Sequence, residues 1–357
     1  MKRAFITFLA VCLLLMSLSG CNASNNPDET ASNGAASENT LVLKLANGLN
    51  VTESASLSIA YFADYIEEHT NGAITFDRYL GGTLCSLPEE FSLCSSGAID
   101  VCTLLQDMAI NAVPYINIPA YATGGYEAGD DYYNAILFDD PEISQMVKEQ
   151  AAKSNVIFLG AQTGGKSAYV CRKPFTGFAD LSQHKFGTNR TMDVFESVGL
   201  QAVSVAIPDT YDSLSRGVCD ASCLGLSAMM ANKWYEVAPY VMVSNLTSDT
   251  NFFTVNLDTW NKLTEEQQQI FYDAAAAAAD YIIQLNEEME VEAEQVITDN
   301  GGTFGYFTEE DDAKYNQSAF TVMAAAAQKA ADAIGDGENM TYILNACADY
   351  LGLEYEP

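Results

Sequence analysis

Between Leu41 and Leu105 the chain alternates strand-like and helix-like runs, and no other feature restricts its fold as strongly. Leu41 to Ala46 (LVLKLA) alternates apolar and polar residues, the period of a strand. Ser54 to His69 then carries apolar residues at helical spacing (Ile59, Phe62, Ala63, Ile66), and Thr70-Asn71-Gly72 supplies residues that tolerate a left-handed helix end. Ile74 to Tyr79 reads as a second strand, Pro88 to Ser96 as a helix closed by Gly97, and Ile99 to Leu105 as a third strand. Strand, helix, strand, helix, strand predicts a parallel sheet wrapped by helices.

A second set of such units follows. Val156 to Leu159, Ser167 to Cys171, Ala202 to Ala206 and Phe252 to Val255 have strand character. Met192 to Val198, Asp209 to Ser215 and Leu226 to Glu236 read as helices. From Leu263 the pattern changes: Thr264-Glu265-Glu266-Gln267 is a capping box, and helix formers run to about Thr298. A helix of that length reaches roughly 50 Å, longer than one lobe is wide, so it is expected to span two. Thr308 to Ile334 reads as a further long helix. The folded part exceeds the size of one typical core, which also favours two lobes.

The amino end fixes the compartment. Lys2 and Arg3 precede a mostly apolar run from Ala4 to Leu18, too short for a transmembrane helix and fitting a signal peptide. It ends in Leu18-Ser19-Gly20-Cys21, which resembles the bacterial lipobox and makes Cys21 the expected lipidated residue. Residues 22–40 hold almost no large apolar side chain and read as a flexible tether. The sequence carries 48 acidic against 16 basic residues, a formal net charge of −32. Such a surface repels nucleic acid and anionic head groups. Apart from Cys12 and Cys21, seven cysteines remain, an odd number that cannot pair completely. With no CxxC pair and only His69 and His184, neither a zinc site nor any other metal or cofactor is expected. Cys219 and Cys223 are spaced to share a helical face and read best as small buried hydrophobes.

Gly160 to Ser167 (GAQTGGKS) satisfies the phosphate-loop pattern. That motif needs a helix directly after it, and Ala168-Tyr169-Val170-Cys171 is strand-like instead. The segment therefore reads as a glycine-rich crossing between lobes. With two histidines placed in polar, helix-ending or turn contexts, no catalytic constellation is legible, and an extracellular hydrolase is set aside.

Five segments carry a resemblance, in order along the chain. Glu67 to Gly72 (EEHTNG) and Ser96 to Asp100 (SGAID) come first, then Tyr211 to Asp220 (YDSLSRGVCD), Trp234 to Val241 (WYEVAPYV) and Leu263 to Gln268 (LTEEQQ). Together they resemble the substrate-binding proteins of TRAP (tripartite ATP-independent periplasmic) transporters, from about residue 41 to the end. The resemblance implies an α/β fold of the two-lobed, type II-like periplasmic-binding-protein kind, a venus flytrap with a long helix shared by both lobes. Residues 41–165 with about 253–280 would form the first lobe, and 166–252 with about 281–357 the second. It further implies a small polar solute held in the interlobe cleft, an organic acid by preference, and a membrane permease that reads closure. A binding protein of an ABC importer is the alternative within the same fold class.

The family usually holds a carboxylate with an arginine where this chain has Gly187, after Ser182-Gln183-His184-Lys185-Phe186. A planar guanidinium suits that task through bidentate contact. Arg190, three residues on, is a candidate substitute; Arg172 matches a second family arginine and is the residue expected to hold the single carboxylate of an organic acid. Asn189, Gln106, Asn251 and Tyr211 join them as ligand candidates.

Overall fold

The computed structural model describes residues 40–119, 131–247 and 250–356. The signal segment, Cys21 and nearly all of the 22–40 tether lie outside them.

Eleven strands among the described residues form two sheets, and each sheet is the floor of one lobe. The first has the order β2-β1-β3-β10-β4. Its strands are β1 (Leu41–Ala46), β2 (Ile74–Tyr79), β3 (Val101–Leu105), β4 (Val156–Thr163) and β10 (Thr250–Asn256). β1 pairs in parallel with β2, Leu41 opposite Ile74, and with β3, Leu45 opposite Val101. The helices between them, α1 (Ser54–His69) and α2 (Leu87–Ser96), are the crossovers that parallel pairing demands. Every residue of β10 is buried, as expected of a strand inserted antiparallel between β3 and β4.

The second sheet runs β11-β9-β5-β8-β6-β7. It comprises β5 (Lys166–Cys171), β6 (Lys185–Gly187), β7 (Gln201–Val203), β8 (Ala221–Gly225), β9 (Tyr240–Thr247) and β11 (Thr303–Tyr306). β4 belongs to one sheet and β5 to the other, so Gly164-Gly165 is the crossing between lobes. Gly165 takes a left-handed φ of 99°, and a Cβ there would meet the Asn286 amide at 3.1 Å. The phosphate-loop pattern is thus split between two strands, with no helix after Ser167.

The long helix Glu265–Asp299 begins at the Thr264/Gln267 capping box read from the sequence. Its first half buries Phe271, Ala274, Ala275 and Ala278 in the first lobe's core. Its second half places Ala293 and Ile297 in the second lobe's core. Small residues let the helix lie close to α1 on one side, and their burial supplies the stabilisation.

Several local expectations are corrected. Leu226 to Glu236 is no single helix: it ends at Ala231, Lys233 adopts a left-handed φ of 56°, and one turn follows over Trp234–Glu236. Cys219 and Cys223 share no helical face, because Gly217 (φ 74°) ends the preceding helix and Cys223 lies in β8. The expected strand to Ala206 stops at Val203. The last helix, Gly337–Leu351, packs against first-lobe residues: the Tyr132 and Tyr350 rings are 5.5 Å apart, and Tyr342 donates to Glu142 at 3.3 Å.

Candidate functional site

In parallel α/β sheets, ligands collect beyond the carboxyl ends of the strands. Here the carboxyl ends of β1 and β3 and the start of β10 face the carboxyl ends of β6 and β8 across the gap between lobes. Two cavities occupy that gap, of about 380 Å³ and about 540 Å³. They share Asn189, Arg190, Ile207 and Leu224 as a common wall.

The wall is built by the loop after β6. Thr188 anchors it through backbone bonds to Val203 and Val205, while its hydroxyl accepts from the Arg190 N–H at 3.2 Å and donates to the Arg190 carbonyl at 2.9 Å. Thr191 follows in a left-handed conformation, φ 47°. This tight loop aims Arg190 back across the gap, where its Nε donates to Asp107 Oδ2 at 3.0 Å. Asp107 stands in the short turn after β3, so the pair ties one lobe to the other. A second interlobe bond joins Ser54 Oγ, at the start of α1, to Ser227 Oγ at 3.1 Å.

Among the described residues, Arg190 is the one basic side chain lining either cavity. Asp107 and Asp193 line the first with it, and Glu53 lines the second. Among the described residues that line the first cavity, two each hold a buried polar atom with no hydrogen-bond partner: Asp107 (Oδ1, an acceptor) and Trp234 (Nε1, a donor). On the second, Asn251 Oδ1 is in the same condition. Unpaired polar atoms inside a folded chain are rare and costly, and on residues beside a cavity they are candidates for contact with a polar ligand. Gln106 is oriented by the Tyr133 hydroxyl, which donates to its Oε1 at 2.7 Å.

Four of the six sequence candidates therefore come together: Gln106 on the first cavity, Asn251 on the second, and Asn189 and Arg190 on both. Arg172 and Tyr211 line neither. β5 runs antiparallel to β8, with Ser167 opposite Gly225 and Cys171 opposite Ala221, so its start faces the cleft and its end carries Arg172 away. There Arg172 meets Asp220 at 3.5 Å and packs over Gly217. Tyr211 donates to Glu236 at 3.1 Å on the surface. Gly187 lines the first cavity, and a Cβ at that position would stand 2.7 Å from Cys219 Sγ. Packing, not only sequence, thus keeps a larger side chain from position 187. Sequence reasoning missed Asp107 and Trp234. The place of Asp107 at a strand's carboxyl end was a signal, drowned among 48 acidic residues.

Lys166, the phosphate-loop lysine, points elsewhere. Its Nζ lies 3.0 Å from Glu290 Oε2 on the long helix and 5.8 Å from the Tyr306 ring centroid. Tyr306 also donates to Glu290, at 2.9 Å, and burial together with that carboxylate pushes its phenol up to about 12. Among the described residues no group of His, Cys, Asp and Glu is arranged to hold a metal ion.

The family model for bacterial extracellular solute-binding proteins, family 7, matches residues 47–329. A solute-binding protein of Sulfitobacter sp. is 23% identical over 261 residues, spanning 70% of this chain and 78% of that protein. A TRAP periplasmic solute-binding protein from Desulfovibrio salexigens, solved with bound orotic acid, superposes with a TM-score of 0.72 at 17% identity, covering 87% of this chain and 99% of the other. One from Sulfitobacter sp., solved with β-D-galacturonate, gives 0.68 at 21% identity, with 86% and 99% covered. At these identities the structural likeness shows the shared two-lobed fold.

Proposed function

The chain belongs to the bacterial extracellular solute-binding proteins of family 7, and on that premise we propose that it captures a small organic acid between its lobes and delivers it to a TRAP-type permease. Family membership places its work outside the cytoplasm. The observation that carries the acid reading is Arg190. Among the described residues the walls are otherwise neutral or acidic, and one guanidinium stands between both cavities. A carboxylate on that guanidinium forms charge-assisted bonds in a partly desolvated gap, where they are strongest. Closure then follows from differential binding: the solute touches both lobes only when they are shut. Orotate and galacturonate, held by the two structural relatives, each combine one carboxylate with N–H or hydroxyl donors.

The test is a thermal-shift panel of D-galacturonate, D-glucuronate, orotate and pyroglutamate against neutral sugars. A ligand that binds only the native state raises Tm in proportion to its affinity. At least one acid raises Tm while the neutral sugars do not; the reverse pattern removes the acid reading.

We further propose that Cys21 carries the lipid anchor. No helix among the described residues is long and apolar enough to cross a membrane. Cys21→Ala is expected to release the protein from the membrane fraction or leave it unprocessed. Normal processing with unchanged fractionation contradicts the anchor.

A further inference from the structure

Arg190 pairs with a carboxylate of its own protein, and Asp107 needs a reason to stand there. A structural ion pair satisfies all of its oxygens, because a buried carboxylate oxygen without a donor loses its hydration and gains nothing. Asp107 satisfies one. Its Oδ2 accepts from the Arg190 Nε–H at 3.0 Å, while Oδ1 is buried with no partner, on a residue that lines the first cavity. Among the described residues of that wall the other buried polar atom without a partner is Trp234 Nε1, a donor. The described wall thus holds one unmet acceptor and one unmet donor. Among the described residues its charged lining is two carboxylates, Asp107 and Asp193, against one guanidinium. A solute with two carboxylates would bring a second negative charge to walls that already hold more acid than base.

We infer that Asp107 is the specificity-determining residue of the cleft: its Oδ1 receives a hydroxyl or N–H donor of the bound acid, and its charge excludes solutes with a second carboxylate. The inference rests on the organic-acid reading above and narrows it to monocarboxylates that carry a donor beside the acid group. Asp107 thereby does two things at once. It fixes the Arg190 plane for the carboxylate, and it rewards the neighbouring donor that a plain fatty acid lacks. Specificity of this kind combines an attractive contact with a repulsive one.

The experiment compares two sets of probes on the full chain by thermal shift and calorimetry. D-galacturonate, D-glucuronate, orotate and pyroglutamate carry one carboxylate with a donor; galactarate and succinate carry two carboxylates; hexanoate carries one and no donor. In the wild type at least one probe of the first set binds, about tenfold or more tighter than any of the others. Asp107→Asn keeps an oxygen of the same shape and removes the charge, so the margin over galactarate narrows. Asp107→Leu removes both, so the first-set affinity falls about tenfold or more toward that of hexanoate. Should Asp107→Leu fail to fold, Asp107→Asn alone decides the charge effect. A wild type that prefers galactarate or succinate overturns the inference and keeps the organic-acid reading. Asp107 variants with the wild-type order of affinities also overturn it. A wild type that binds no probe of any set overturns both.

Discussion

Lys166–Glu290 and Arg190–Asp107 are both cation–carboxylate pairs at 3.0 Å, and they lie on either side of the interlobe crossing. At the hinge the two side chains are 14% and 12% exposed, and Glu290 accepts from Tyr306 as well. At the cleft they are 21% and 27% exposed, and Asp107 keeps one oxygen with no donor. The difference separates a joint from a site. A pair closed on all sides ties the crossing strand β5 to the long helix and to β11. A pair with an unmet oxygen, on residues that line a cavity, is the one proposed to meet a solute. Breaking the first is therefore expected to act on stability, and breaking the second on binding.

Lys166→Ala tests the hinge half and carries the largest expected effect. It leaves Glu290 almost buried without its cation, which costs about 3–5 kcal/mol. Urea unfolding reads that loss directly. Solute affinity is expected to stay within a few-fold, and no nucleotide binding appears in either protein. A stable Lys166→Ala variant with lost solute binding would merge the two pairs into one function and break the comparison.

Gly187→Ala asks whether packing behind the cleft excludes a side chain. Its Cβ would meet Cys219 Sγ at 2.7 Å, and overpacking of this kind costs about 1–3 kcal/mol. Cys219→Ala in the same chain removes the sulfur and is expected to recover part of the loss. No loss on Gly187→Ala would show that the wall yields, and that an arginine is tolerated there after all.

Glu90 supplies a second carboxylate with an unpaired oxygen, this one without a cation among the described residues. Its Oε1 accepts from the Gly48 N–H beneath the second cavity, while Oε2 has no partner. Burial pushes its carboxyl up to about 8, against the opposing Gly48 bond. Below about pH 4.5 folded and unfolded chains both hold this proton. As pH rises toward 8, the unfolded chain releases it and the folded chain keeps it, so stability falls over that window. Glu90→Gln retains the acceptor and removes the titration, and is expected to stabilise the protein at pH 8 by about 1.4 kcal/mol or more relative to pH 5. Parallel stability curves for the two proteins from pH 5 to pH 8 would contradict this.

Arg172→Gln is expected to do least. The Arg172–Asp220 pair is half-exposed, spans 3.5 Å within one lobe and lines neither cavity, so it is worth about 0–1 kcal/mol in stability. Solute affinity should remain within about twofold. A larger loss of affinity would mean that the cleft reaches beyond the two cavities.

What the sequence disclosed follows from where the chemistry is local. The first-lobe strands and helices are legible because their periodicity and stop signals agree, as at Thr70-Asn71-Gly72 and Gly97. The long helix is legible because its capping box opens an unbroken run of helix formers. β8 (ASCLG) and β6 (KFG) are not: one is buried between neighbours without alternation, the other is three residues long. Their pairing comes from the sheet, not from their own residues. The same divide governs the cleft. Arg190 is conspicuous because only 16 basic residues exist, whereas Asp107 hides among 48 acids. Arg172 shows the limit of a motif match. Its neighbours place it at the end of a strand, and the direction of that strand carries it away from both cavities.

In the proposed reading Arg190, and not Arg172, receives the acid. Calorimetric titration of the tightest-binding panel acid into wild type, Arg190→Gln and Arg172→Gln distinguishes the two most directly. Loss of one hydrogen-bonded charge contact is worth about 1.5–3 kcal/mol. Arg190→Gln is thus expected to weaken binding about tenfold to a hundredfold, with Arg172→Gln indistinguishable from wild type. Equal affinity of Arg190→Gln and wild type, or a loss confined to Arg172→Gln, would contradict it.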